Sequence, residues 1–329
     1  DRAATYHPIA AVPPPAPTPN MNTNGFLVVD KPGKLTSHDV VAKVRKGTGV
    51  KKIGHAGTLD PMATGVLVLC LGYATRLSEY VMASDKTYQT TLMLGIETDT
   101  YDADGRPTAE ASEAAMSAVT QALLETALVP FRGPILQVPP MYSAIQKNGK
   151  RLYELARSGI EIEREPRPVT IYDLKLLSWN LPYIVLEVTC SAGTYIRSLA
   201  HDLGTALGVG AHLTTLRRTR SGKLDAPIDW GTIQKAMNEE TWDRLLIDEH
   251  VPLGHIPAVA LESIEAALFQ RGQAVTFETL SLSDLLTSDL EQDKLAVARE
   301  VRVYDPQDRM IGMGEVRDGK LHPGKVFGA

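Results

Sequence analysis

Hydrophobic and polar positions change their period several times along the chain, and each change predicts an element. Residues 25–30 are apolar up to Asp30 and read as a strand. Val40, Val41 and Val44 then recur at helical spacing, which predicts a helix that turns them inward and is capped by Ser37. An unbroken apolar run at 65–71 predicts a buried strand, with a helix at about 74–83 behind it. Over 86–96 Tyr88, Thr90, Leu92 and Leu94 fall on one face of a longer strand. The alanine-rich stretch 111–127 reads as one helix. Residues 169–188 read as two long strands joined near Trp179, Asn180, Leu181 and Pro182. An amphipathic helix at 194–207 and a returning strand at 212–221 follow. Hairpin neighbours mixed with helices predict an α+β fold with a mixed, largely antiparallel sheet, not a doubly wound one.

The same pattern divides the chain. Residues 1–20 are rich in proline and alanine, without periodic hydrophobicity, and read as a disordered leader with Met21 as the expected start. Residues 139–168 form an excursion with a short helix at about 150–158. It carries Lys147, Lys150, Arg151, Arg157, Arg164 and Arg167, with four glutamates between them. Pro252, Gly254 and Pro257 mark a boundary, which predicts one unit over 21–254 and a second over 255–329. In the second unit, short strands over 301–326 with turns at Asp305-Pro306 and Asp318-Gly319 predict a small β-barrel.

Charge changes the picture only when it is read locally. The formal net charge of −5 argues globally against RNA binding. Yet residues 31, 34, 43, 45, 46, 51 and 52 are Lys or Arg against Asp39 alone, and residues 197, 217, 218, 220 and 223 are Arg or Lys against Asp202 alone. Both runs are expected to offer positive potential to phosphates. From 239 to 293 the balance reverses, with twelve acids against Arg244 and Arg271. The two cysteines, Cys70 and Cys190, lie in apolar strand-like runs. A disulfide is open on count, but buried free thiols fit better, and the chain reads as intracellular and cytoplasmic. No apolar run reaches the length of a membrane span, about eighteen residues.

The candidate chemistry sits at Lys52-Ile53-Gly54-His55-Ala56-Gly57-Thr58-Leu59-Asp60-Pro61. A carboxylate here lies among small residues at the lip of a strand, where a bulky substrate can approach. Pro61 biases Asp60 toward extended or turn backbone. An aspartate capping its own turn would have the same sequence. No P-loop, dinucleotide fingerprint or zinc-deaminase signature occurs. The stretch from Glu97 to Gly105 invites a calcium reading, but Thr100 and Ala111 stand where ligands are needed, so an Asx-rich turn is expected. No metal and no cofactor are expected.

The Asp60 segment resembles the central signature of the TruB family of tRNA pseudouridine synthases. Asp30-Lys31-Pro32-Gly33-Lys34-Leu35-Thr36-Ser37-His38-Asp39 is similar to that family's N-terminal motif, and Ser84-Asp85-Lys86-Thr87-Tyr88 to its tyrosine motif. Cys190-Ser191-Ala192-Gly193-Thr194-Tyr195-Ile196-Arg197 resembles its arginine motif. Ala211-His212-Leu213-Thr214-Thr215-Leu216-Arg217-Arg218 resembles the leucine motif. The motifs keep the family's order from about Gly25 onward.

The resemblance implies a bisected mixed sheet around a central cleft, a thumb-like insertion at 139–168 and a C-terminal PUA-like domain. It implies Asp60 as the catalytic carboxylate, Arg197 as its partner and Tyr88 as the ring stacked on the target base. It implies Leu216 packed against that base, His55 replacing flipped nucleotides in the RNA, and Lys31 with Pro32 as a floor that orders the Asp60 loop. The implied partner is the T arm of tRNA, bound by a monomer with no membrane and no obligate protein partner. The expected reaction makes pseudouridine at position 55 of tRNA. A non-catalytic tRNA-folding factor on the same scaffold, or an enzyme acting mainly on other RNAs, are the alternatives.

Overall fold

The computed structural model describes residues 23–143, 145–147, 149–160, 162–276 and 299–327. The leader expected at 1–20, and the part of the acid-rich stretch from 277 to 293, lie outside the described residues.

β1 (Gly25–Lys31) is buried along almost its whole length. Thr36, not Ser37, caps α1 (Ser37–Thr48). Thr36 Oγ1 accepts from Asp39 N at 3.0 Å, and the Asp39 carboxylate accepts from Thr36 N at 2.9 Å. This reciprocal box satisfies two backbone donors that a helix start leaves open. Val40, Val41 and Val44 turn inward as expected. β2 (Ile53–His55) and β3 (Thr64–Leu71) follow. The single helix expected at 74–83 is instead a 3₁₀ turn, Gly72–Leu77, leading into α2 (Ser78–Ala83). Asn24 Oδ1 accepts from Tyr73 N at 3.0 Å and ties the opening of that turn to the chain before β1.

β4 (Lys86–Leu94) buries Tyr88, Thr90, Leu92 and Leu94 on one face. A hairpin of β5 (Ile96–Thr98) and β6 (Pro107–Glu110) follows. The expected helix at 111–127 is two helices, α3 (Glu113–Ser117) and α4 (Gln121–Leu128). Thr120 breaks it by capping α4, its side chain accepting from Leu123 N. β7 (Gly133–Gln137) leads into the excursion, where β8 (Gln146–Lys147) and β9 (Lys150–Arg151) pair before α5 (Leu152–Arg157). The long hairpin is β10 (Arg167–Asn180) with β11 (Tyr183–Cys190). Then come α6 (Ile196–Leu207), β12 (Ala211–Ser221), α7 (Trp230–Asn238) and α8 (His250–Leu253).

The main sheet runs β1-β3-β12-β4-β11-β10-β7, with β2 paired to β3. All its described pairs are antiparallel except β3 with β12, which meet only at Arg217↔Thr64 and Arg218↔Gly65. Gly65 takes φ +94°, and a Cβ there would lie 2.1 Å from the Arg218 carbonyl oxygen. Only glycine permits that approach. The short parallel seam divides the sheet into two halves, and the chemistry collects beside it.

The C-terminal sheet runs β13-β15-β16-β17-β14, from β13 (Ala258–Ala260), β14 (Val275–Thr276), β15 (Arg299–Tyr304), β16 (Met310–Arg317) and β17 (Lys320–Val326). It forms a half-barrel of PUA-like type. Its helix, α9 (Ser263–Gln270), buries Phe269 among Val301, Val303, Ile311 and Leu321. One hydrophobic cluster lies between the main sheet and its helices. Another covers the opposite face of β1 and β3 and is shared with Tyr304, Met310, Met313 and Phe327 of the half-barrel. Cys70 and Cys190 are buried free thiols, and burial pushes them up to about 12 and about 11. Among the described residues no helix is long and apolar enough to cross a membrane.

Candidate active site

Asp60 lies in the loop between His55 at the end of β2 and Thr64 at the start of β3. Three buried polar side chains hold this loop from beneath. Ser37, freed from capping, accepts from Leu59 N at 2.8 Å and donates to Leu59 O at 3.1 Å. Lys31 Nζ donates to Pro32 O, Leu35 O and Pro61 O at 3.0, 2.5 and 3.2 Å. Arg218 Nη2 donates to Gly57 O at 3.0 Å, while its Nε donates to Val66 O at 2.7 Å. Buried polar groups are costly unless paired, and these are paired with backbone of the loop and its flanks. Burial lowers the Lys31 ammonium to about 8 against opposing pulls from Asp60 and Asp39.

Arg197, near the start of α6, meets Asp60 as a fork. Its Nε stands 2.9 Å from Oδ2 and its Nη2 3.1 Å from Oδ1. The Arg197 side chain is 6% exposed and that of Asp60 31%, so the carboxylate faces the cleft with its countercharge behind it. Other Arg197 contacts run to Tyr142 O at 2.9 Å, Thr100 O at 3.3 Å and Asp102 Oδ2 at 3.6 Å. The guanidinium is therefore fixed on several sides, which a flexible ammonium could not reproduce.

Asp102 is a functional candidate that the sequence reasoning missed. The stretch from Glu97 to Gly105 is an Asx-type turn, with Asp102 Oδ1 accepting from Thr100 Oγ1 at 2.6 Å and Asp104 N at 3.1 Å. That turn also delivers a second carboxylate to Arg197. Burial raises the Asp102 carboxyl above its ordinary value, opposed by the Thr100 hydroxyl and by Arg197. Among the described residues no group of three or more His, Cys, Asp or Glu could hold a metal ion.

Tyr88 and Leu216 are buried on adjacent strands, with Tyr88 opposite Arg218 and Thr90 opposite Leu216. Burial raises the Tyr88 hydroxyl, and the Arg218 guanidinium against it pulls the other way. Arg218 is thus a second missed residue, since it links the strand of Tyr88 to the loop of Asp60. His55 is half-buried at the strand end, and its Nδ1 has no hydrogen-bond partner among the described residues. Burial, then Arg218, lowers its pKa. Pro32 is half-buried beside Lys31 and gives it one carbonyl.

The basic runs need correction. Lys31 is buried, whereas Lys34, Lys43, Arg45, Lys46, Lys51 and Lys52 are exposed on and around α1. In the second run Arg197 and Arg218 are buried, Arg217 is forked to Asp30 and Arg220 is paired with Asp85. Those four arginines build the interior and its rim; Lys223 alone of that run stays exposed.

A sheet split at a parallel seam, with a forked carboxylate beside the split, places the fold among known structures. The chain matches a crystal structure of a Cbf5–Nop10–Gar1 complex with a TM-score of 0.68 and 25% identity, covering 93% of this chain and 85% of that one. An H/ACA ribonucleoprotein bound to a substrate RNA containing 2′-deoxyuridine matches with a TM-score of 0.67 at 22% identity, covering 93% and 86%. The fold is that of the pseudouridine synthases of the Cbf5 kind. Sequence narrows it. Residues 45–196 match the N-terminal domain of the TruB family pseudouridylate synthases. Residues 197–252 match the tRNA pseudouridylate synthase B C-terminal domain, and residues 257–327 the C-terminal part of pseudouridine synthase II TruB. The tRNA pseudouridine synthase B of Burkholderia pseudomallei (strain 668) is 42% identical over 305 residues, 92% of this chain and 96% of its own length. That of Dehalococcoides mccartyi is 39% identical over 307 residues, at 92% and 96%. The chain belongs to the TruB family.

Proposed function

We propose that the protein converts uridine to pseudouridine at position 55 in the T arm of tRNA. The observation that carries this reading is the forked Asp60–Arg197 pair at the mouth of the cleft. The reaction breaks the N1–C1′ bond, turns the uracil and joins C5 to C1′. The hydrogen leaves C5 and one is gained at N1, so nothing is oxidised or hydrolysed.

Asp60 is the essential carboxylate in this reading, whether it attacks the sugar, attacks the base or removes a sugar proton. Arg197 aims it, and Asp102 helps to hold Arg197. The target base is flipped from the folded arm at a cost of a few kcal/mol. Tyr88 stacks on it and its hydroxyl handles the C5 proton. Leu216 packs against the base, and His55 fills the space it leaves. Lys31 and Pro32 order the loop. The exposed lysines around α1 and the insertion at 139–168 grip phosphates. We assign the catalytic unit to 21–254 and an RNA-gripping unit to 255–329, in a cytoplasmic monomer that acts without a protein partner.

The test is a map of pseudouridines in unmodified tRNA treated with the parent and with Asp60→Asn. One new pseudouridine, at position 55, is expected with the parent and none with the variant. A parent that binds and refolds tRNA without isomerising it would make the chain a folding factor instead.

A further inference from the structure

Tyr101 sits between the Thr100 carbonyl and the Asp102 carboxylate, both of which face Arg197. It adopts φ +63°, a left-handed conformation unfavourable for an aromatic residue. Something must hold it there. On the backbone side, Leu213 N donates to Tyr101 O at 3.0 Å and Ala103 N to Leu213 O at 2.9 Å. On the side-chain side, the Tyr101 ring lies flat on His201, with centroids 4.0 Å apart and planes 12° apart.

His201 stands four residues after Arg197 in α6, one turn further along the same helix face. Its Nδ1 is buried and accepts or donates no hydrogen bond among the described residues. Nδ1 therefore does not place the ring, and the stack on Tyr101 is the contact that does. The two ends of this contact lie on the helix that carries Arg197 and on the turn that carries Asp102.

We propose that Tyr101 and His201 are a positioning pair. They clamp the 99–104 turn against α6, so that Asp102 and the Thr100 carbonyl hold Arg197 in line with Asp60. Neither ring touches the reacting atoms in this proposal. It rests on the reading of Asp60 and Arg197 as the reacting centre.

The experiment measures single-turnover pseudouridine formation, tRNA affinity and melting temperature for the parent, His201→Ala, His201→Phe, Tyr101→Gly, Asp102→Asn and the double variant Asp102→Asn with His201→Ala. His201→Ala should slow the chemical step about tenfold, the scale of a lost aromatic pair, with tRNA affinity unchanged. His201→Phe keeps the stack and should stay within about twofold of the parent. Tyr101→Gly accepts the backbone conformation yet removes the ring, so it should slow the step like His201→Ala, and it serves if His201→Ala does not fold. In the Asp102→Asn background His201→Ala should cost less than in the parent, because only the part of its effect that passes through the Thr100 carbonyl remains.

A His201→Ala rate equal to the parent's overturns the proposal. So does His201→Phe as slow as His201→Ala, which would make the nitrogens the active part. Fully additive losses in the double variant would also overturn it. If the parent itself forms no pseudouridine, the proposed function fails first; an active parent with indifferent ring variants sinks only the positioning pair.

Discussion

Around Asp60, four charged side chains are buried: Lys31, Arg197, Arg218 and Asp102. Each is satisfied by backbone carbonyls, a hydroxyl or an opposite charge. At the junction with the half-barrel the arrangement is turned inside out. Phe327 is buried, stacks on Tyr73 at 4.9 Å and lies under Arg76. Polar contacts such as Tyr80–Glu300 and Lys325–Glu79 ring that apolar centre. Arg302 and Glu249 are exceptions: Arg302 is buried and bonded to Ile256 O and Tyr304, and buried Glu249 accepts from the Tyr73 hydroxyl at 3.0 Å. Ion pairs exposed like Lys325–Glu79 contribute about 0–1 kcal/mol each, whereas burying one large apolar side chain contributes about 1.5–3 kcal/mol. Apolar area joins the two units, and charge organises the notch. The region around Asp60 accepts the desolvation of four ions in return for fixed directions, and the junction does so at fewer points.

The contrast can be broken most forcefully at Asp60. Asp60→Asn keeps the volume and removes the carboxylate, so pseudouridine formation should fall by about 1000-fold or more while tRNA binding holds. A turnover assay near the parental rate would remove Asp60 from the chemistry.

Phe327→Ala attacks the other region. It should lower stability by about 3 kcal/mol and leave the single-turnover rate of folded protein unchanged. Denaturant melts paired with kinetics below the melting range check both halves. A rate that falls while stability holds would show that the junction reaches the notch.

Arg197→Lys retains charge without the fork, and about fiftyfold loss of rate is expected. A near-parental rate would reduce the pair to its charge.

The smallest effect concerns pH. Lys31 titrates at about 8 in the fold, below its ordinary 10.5. Between those values the unfolded chain binds the proton more tightly, so this group's contribution to stability rises as pH rises through the window. Activity should move the opposite way. A neutral amine has one hydrogen fewer, and one of the three carbonyl contacts beneath the Asp60 loop is lost. A fall of a few-fold above about pH 8, flattened in Lys31→Met, is expected. A profile in which parent and Lys31→Met keep the same alkaline limb would clear Lys31.

Much of this was legible in the sequence, and what was not has a common cause. The strands over 25–30 and 65–71 announce themselves as continuous apolar runs, and that over 86–96 by alternation, because both patterns survive projection onto one dimension. The cap of α1 was misplaced by one residue, although Thr36 with Asp39 three positions on carried the capping-box signal that Ser37 lacks. The break between α3 and α4 was likewise written in Thr120. Arg218 and Asp102 were not readable. A buried ion and a surface ion are the same letter, and burial here arises from the β3–β12 seam and the hairpin after β4. For the same reason the sequence counts Arg217 and Arg220 toward a positive surface, whereas they are tied to Asp30 and Asp85.

The depth order of the Asp60–Arg197 pair has an electrical consequence. The negative group lies at the mouth and the positive one behind it, 6% exposed. To an incoming polyanion this is a dipole with the wrong end forward, and its field fades faster with distance than that of a lone charge. Attraction must come instead from the exposed lysines around α1. At close range the same dipole favours a centre that turns positive, such as the anomeric carbon of a ribose losing its base. Long-range capture and short-range discrimination are thus carried by separate charges, so salt should weaken the first while leaving the second nearly untouched.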